Sequence, residues 1–191
     1  TVRKALDSLA VDKVIVRRQG KGTYVAELTQ ERSLFRFFRL TRPDGARAVP
    51  TSGEETVKRR RARAVEAQAL AIPETAEVIE IVRTRFVDDQ PIAYERIVVP
   101  REHFPDLDRH APLPNTLYAL YQREYGINIV ATEERLRADL ARREDTRRLR
   151  LPAGSPLLQV ERVALSVNGK RVEWRLSRCD TSTLTYAVTL T

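Results

Sequence analysis

Two runs of residues, Leu157 to Val167 and Arg171 to Cys179, meet across Asn168-Gly169. An Asn-Gly step between such runs is a strong hairpin signal. Both central residues of the tight turn need φ > 0, which these two tolerate. An antiparallel pair near the end of the chain therefore constrains everything else. Leu184 to Leu190 adds an alternating strand. Upstream, Val78 to Val87 and Ile92 to Val99 flank an Asp-Asp-Gln-Pro turn, and Leu34 to Leu40 reads as an apolar strand. Pro43-Asp44-Gly45 is a turn and residues 46 to 53 a polar loop. Thr56 to Arg61 runs as a strand into a helix over Arg63 to Leu70 that Pro73 ends. Asn115 caps a helix through Tyr125 with Gly126 as its stop, Ile127 to Leu140 is a strand, and Arg142 to Leu149 a short arginine-rich helix. Hairpin-paired strands with helices between them predict an α+β domain, an antiparallel sheet with flanking helices.

Composition narrows the function classes. At 191 residues, 42% hydrophobic and 31% charged, the chain has the make-up of a folded protein, with room for one domain or one domain plus a fragment of another. The net charge of +8 is compatible with a polyanionic partner, although many basic proteins bind no nucleic acid. A single cysteine, Cys179, forms no internal disulfide and fits a reducing compartment. The absence of a membrane-length apolar run or signal peptide in this sequence makes the expected location cytoplasmic, with no membrane partner. One cysteine and two scattered histidines, His103 and His110, supply no recognisable metal site, and the histidines read as surface residues of a proline-rich loop. No nucleophile–base pair and no glycine-rich nucleotide loop is evident, so neither catalytic residues nor a cofactor are expected.

The N-terminus has its own character. Val2, Ala5, Leu6 and Leu9 form one stripe of a short helix, with Arg3, Lys4, Asp7 and Ser8 off it. Val14 to Val16 and Thr23 to Val25 are strands around the basic, two-glycine turn Arg17 to Gly22. Helix plus basic-tipped hairpin is the back half of a winged helix. The helix fits a major groove, and the glycine turn can approach a phosphate backbone. The helix opens at Thr1 without a cap and the chain has no methionine. The reading is a remnant over residues 1–26, a linker over 27–32 and a main domain over 33–191. A chain with half a winged helix is expected to bind DNA weakly or not at all.

"TVRKALDSL" followed by "VIVRRQGKGTYV" resembles the end of the DNA-binding domain of GntR-family repressors. That resemblance implies that Thr1, Arg3 and Lys4 face DNA, with Arg17, Arg18, Gln19 and Lys21 on the wing. Arg3 suits a base reader, since its fork matches the guanine edge. The stretches "VIEIVRTRFVDDQPIAYERIVVP", "NTLYALYQREYGINI" and "VNGKRVEWRLSRCD" resemble, in this order, the UTRA effector-binding domain of the HutC branch, which has the fold of chorismate lyase. The implied protein is a homodimeric transcriptional regulator, a repressor, whose operator binding responds to a small anionic metabolite. The alternatives are a chorismate-lyase-like enzyme or a metabolite sensor that binds no DNA.

Alternation along Val78 to Val87 puts Ile79, Ile81, Arg83, Arg85 and Val87 on one face. If that face is interior, the two arginines require an anion; otherwise it meets water or internal acids. Whether Glu95 or Tyr94 joins them depends on whether the loop around Asp88 to Gln90 is odd or even in length. On the last hairpin Glu173, Arg175, Ser177 and Cys179 share a face, Val172, Trp174 and Leu176 take the other, and a two-residue turn sets Arg175 opposite Arg162. The resemblance implies that Arg83 and Arg85 bind ligand phosphate and that Glu95 binds a hydroxyl. It also implies that Thr116 and Tyr118 close the pocket. Glu173 is expected to select a hydroxyl or amino group beside Glu95, with Arg162, Arg175, Ser177 and Cys179 in the same effector pocket. Cys179 stands where the family usually has tyrosine. Lys58 to Arg61 and the arginines from 142 to 150 read as solvated faces or dimer rim.

Overall fold

The computed structural model describes residues 1–11, 15–18, 20, 22–26, 29 and 37–189. Helix α1 (Val2–Val11) precedes a hairpin of β1 (Ile15–Arg18) and β2 (Gly22–Val25), in which Ile15 faces Val25 and Arg18 faces Gly22. The tip uses Gly20 at φ 72° and Gly22 at φ 104°, backbone that a side chain would disfavour. Val2 is 77% exposed, so it is not part of a buried stripe. Val14 lies outside the described residues.

The main body is a six-stranded antiparallel sheet in the order β4-β5-β6-β9-β8-β7. Its strands are β4 (Thr51–Arg61), β5 (Glu77–Val87), β6 (Gln90–Pro100), β7 (Ile129–Leu140), β8 (Pro156–Ser166) and β9 (Arg171–Cys179). Both faces are covered, so nearly every residue of β5 and β6 is buried, charged ones included. One face carries Ile79, Ile81, Ile97 and Val99 against Phe104, Leu107 and helix α3 (Leu117–Tyr125). The other sets Val78, Val98 and Trp174 against Leu70 of α2 (Ala64–Leu70), and Val82 and Tyr94 against Leu149 of α4 (Arg143–Leu149). Each such aliphatic side chain, fully buried, contributes about 1.5–3 kcal/mol. A small second sheet pairs β3 (Leu40–Thr41) with β10 (Thr185–Tyr186) and lays the segment before β3 over the main sheet.

Several boundaries differ from the sequence expectation. Of the strand expected over Leu34 to Leu40 only Leu40 is strand; residues 34–36 lie outside the described set, and the Phe37 ring turns into the core against Tyr118. The loop expected over 46 to 53 is already strand from Thr51, because β4 follows β5 as far as Phe86 through a bulge between Ser52 and Glu55. The N-cap of α3 is Thr116, not Asn115. The Asn115 amide instead donates to Pro50 O at 2.8 Å and anchors the entry to β4. Strand β7 begins at Ile129, since the Ile127 amide donates to Tyr121 O and closes the end of α3. The terminal strand is only Thr185–Tyr186, with Leu190 outside the described residues.

Candidate effector site

Two irregularities aim the charged side chains. The β5–β6 turn is even: Asp88 and Asp89, at φ 50° and 61°, are its two central residues, and Val87 faces Gln90. By parity alone Tyr94 would face the arginine side. A bulge after Phe86–Pro91 leaves Ile92 without a partner, shifts the register by one, and sets Glu95 opposite Arg83. The β8–β9 connection works similarly. Ser166 O accepts from Gly169 N at 2.8 Å and Ser166 N donates to Lys170 O at 2.9 Å, a three-residue loop rather than the expected two. A bulge at Val172 then restores Arg162 opposite Arg175. Val172 consequently joins the core on the Glu173 side, not the Trp174 side as alternation implies.

The result is a cavity of about 60 Å³ between this sheet face, the start of α3 and the segment from Phe37 to Leu40. A buried water needs on the order of 10–15 Å³, so there is room for a small polar group. Arg83, Arg85, Glu95, Thr116, Tyr118, Arg162, Arg175, Ser177 and Cys179 all line it. Glu173 does not: it is fully buried behind Arg175. Its two oxygens accept from Tyr118 Oη and Tyr121 Oη at 2.9 Å each, and from Arg175 Nε and Nη2 at 3.0 and 3.1 Å. Tyr121 was missed by sequence reading, as were Phe37, Phe38, Arg39 and Tyr186 on the rim.

The charges are nearly, but not fully, balanced. Arg83 Nε donates to Glu95 Oε2 at 2.9 Å, and Arg175 Nη1 donates to Glu95 Oε1 at 3.1 Å. Arg162 Nε donates to Glu134 at 2.6 Å and its Nη2 to Phe37 O at 2.6 Å; Tyr186 Oη also donates to Glu134. The first pair is the internal-acid alternative realised for Arg83. Arg85 is different. It is 2% exposed, donates to Ser52 Oγ and to Asn115 O at 3.0 Å, and its nearest carboxylate is Glu95 at 4.0 Å. Burial, then the Arg83 cation, hold its pKa down at about 9 despite Glu95. Five arginines line the cavity, Arg39, Arg83, Arg85, Arg162 and Arg175, and against Glu95, Glu134 and Glu173 they leave two positive charges uncompensated.

Other groups are chemically quiet. Burial alone would raise the Glu95 pKa, but Arg175, Arg83 and Arg85 outweigh it and hold the carboxyl well below its usual range. Burial and then Glu95 push the Cys179 thiol up to about 12, so at neutral pH it is an S–H and no nucleophile. Among the described residues no cluster could hold a metal ion, and no helix is long and apolar enough to cross a membrane.

Thr1, Arg3 and Lys4 stand exposed at and just after the start of α1. Arg17 and Arg18 end β1, while Gln19 and Lys21 lie outside the described residues. The Lys58–Arg61 cluster is not simply a solvated face. Arg60 donates to Glu66 at 2.6 Å and to Glu80 at 2.8 Å, and Lys58 Nζ lies 3.0 Å from Glu80. Arg178 likewise ties β9 to Asp145 of α4 at 2.9 Å.

Residues 47–185 match the UTRA domain family model. A Shigella flexneri protein described as a probable fructoselysine utilization operon transcriptional repressor is 26% identical over 189 residues, 98% of this chain and 77% of that protein. The ligand-binding domain of a GntR-family transcriptional regulator from Bordetella bronchiseptica superposes with a TM-score of 0.74 at 29% identity, covering 82% of this chain and 98% of that one. PhnF from Mycobacterium smegmatis shares the fold over 100% of this chain and 84% of its own, with a TM-score of 0.69 and 22% identity. The chain belongs to the UTRA domain family and is a transcriptional regulator of the GntR type.

Proposed function

We propose that the cavity binds a small anionic metabolite and that its occupancy alters how a homodimer holds operator DNA. Arg85 carries this reading: a buried guanidinium with no carboxylate in hydrogen-bonding range is costly unless an anion arrives. Arg83 beside it supplies a second guanidinium on the same strand, and arginine forks suit phosphate and carboxylate. Glu95, held ionised by three arginines, cannot help with an anion. It serves as acceptor for a hydroxyl or amine elsewhere on the ligand. Glu173 acts one step back, fixing Arg175 and the Tyr118–Tyr121 end of α3. Thr116, Tyr118, Ser177 and Cys179 shape the remaining wall. The relative named for fructoselysine utilization is in keeping with a small polar metabolite.

Residues 1–26 are the DNA-contacting unit in this reading, and 33–191 the effector unit. Two copies would place two recognition elements on half-sites about 34 Å apart. An effector that prefers one arrangement shifts the population between binding and release.

Thermal melting with matched ligand pairs tests the polarity: sugar phosphates, sugar acids and amino acids beside their uncharged counterparts. Anionic members are expected to raise the melting temperature and their neutral counterparts to leave it unchanged. Equal stabilisation by a neutral counterpart contradicts the reading.

A further inference from the structure

Arg39 is an arginine that strand alternation does not single out, yet it lines the cavity. Its backbone is held from several sides. Arg39 O accepts from the Ala187 amide at 2.9 Å, Leu40 pairs with Tyr186, and two residues earlier Phe37 O accepts from Arg162 at 2.6 Å while its ring packs edge-on to Tyr118 at 4.7 Å. The side chain is less well served: among the described residues its Nε is buried without a hydrogen-bond partner. On the sheet side of the same cavity the Arg85 Nε is also buried without one, and Glu95 lies too far from it to accept, at 4.0 Å. Two orphaned guanidinium donors thus share one cavity although Arg39 and Arg85 stand more than forty residues apart in the chain.

The carboxylates nearby are committed. Glu95 accepts from Arg83 and Arg175, Glu134 from Arg162 and Tyr186, and Glu173 from Arg175 and two tyrosines. Among the described residues no carboxylate is left to accept from both orphaned donors, and an anion from outside would meet that need. We propose that the effector's anionic group bridges Arg39 and Arg85, so that the segment from Phe37 to Leu40 is itself a wall of the effector site. This rests on the anion reading above and deepens it. Occupancy then clamps Phe37 to Thr41, which follow the DNA-contacting unit in the sequence, onto β5.

Calorimetry on the whole chain with inorganic phosphate as probe tests it, with melting curves as the check on folding. Phosphate binding is expected to weaken at least tenfold in Arg39→Ala and in Arg85→Ala. Arg39→Lys should recover only part of it, since lysine keeps the charge but lacks the Nε donor. Hydrogen exchange at the Ala187 amide should slow on adding phosphate to the wild type and not to Arg39→Ala. Wild-type affinity in Arg39→Ala beside a loss in Arg85→Ala overturns the role of Arg39 and leaves the anion site standing. Wild-type affinity in both, or no phosphate binding to the wild type, overturns both readings. If Arg39→Ala fails to fold, Arg39→Gln replaces it with the same expected loss.

Discussion

At the scale of single residues, the cavity depends on a few positions that allow no substitute. Gly53 sits in the β4 bulge, where an added Cβ would lie 2.3 Å from Phe86 Cε2. Gly53→Ala must push the Phe86 ring aside. It is expected to cost about 1–3 kcal/mol, as overpacking typically does, read as a lower urea midpoint with an unchanged slope. Ser52 is the next residue and accepts from Arg85, so ligand affinity should fall along with stability. A variant as stable as the wild type would show that the bulge relaxes freely. Arg83 and Arg85 were legible in the sequence because charges on apolar alternation are conspicuous, whereas parity left Glu95 and Tyr94 both open. Arg39 was not legible, because it lies on no regular element and the strand expected over Leu34 to Leu40 does not form around it.

At the scale of elements, the bulges matter more than the strands. Alternation identified β5, β6, β8 and β9 to within a residue or two, but the facing of Glu95 hangs on one unpaired residue, Ile92. Nothing in an apolar run marks which residue will bulge, so parity arguments across a turn fail there. The basic run on β4 hid a second device: its acids, Glu66 and Glu80, come from α2 and β5. Burial alone would raise the Glu80 pKa, but hydrogen bonds from Arg60 and Lys58 win and bring it to about 2 from 4.5. A depressed carboxyl stabilises the fold above its unfolded pKa and loses that contribution as pH falls from about 4.5 toward 2. Glu80→Gln should therefore be less stable than wild type at pH 6, by about 3 kcal/mol for a broken buried pair. The gap should close as the pH approaches 2. Urea titrations at pH 6, 4 and 3 check this, and a gap independent of pH would assign the loss to packing rather than charge.

For the whole molecule, a sheet covered on both faces still leaves β4 and β7 as open edges. A dimer joined through the sheet-bearing domain is expected, with light scattering at tens of micromolar giving twice the 21.9 kDa chain mass. A specific interface of this kind buries about 1,200–2,000 Å². A monomer at that concentration would leave one recognition element per molecule and remove the basis for two half-sites. The α+β class and its hairpins were readable from turns and periodicity. The coupling of segment 37–41 to the cavity was not, since it arises from contacts across more than a hundred residues, such as Arg162 with Phe37.

The most direct test is calorimetry of the anion that stabilises the protein best, titrated into the wild type and into Arg83→Ala. Glu95 keeps Arg175 as a partner in that variant, so the fold should survive, as a melting curve will show. Loss of a charged hydrogen bond predicts weakening by about 1.5–3 kcal/mol, roughly ten- to hundredfold in Kd. Equal affinity in the two proteins would contradict the paired-arginine account and make Arg83 a structural partner of Glu95.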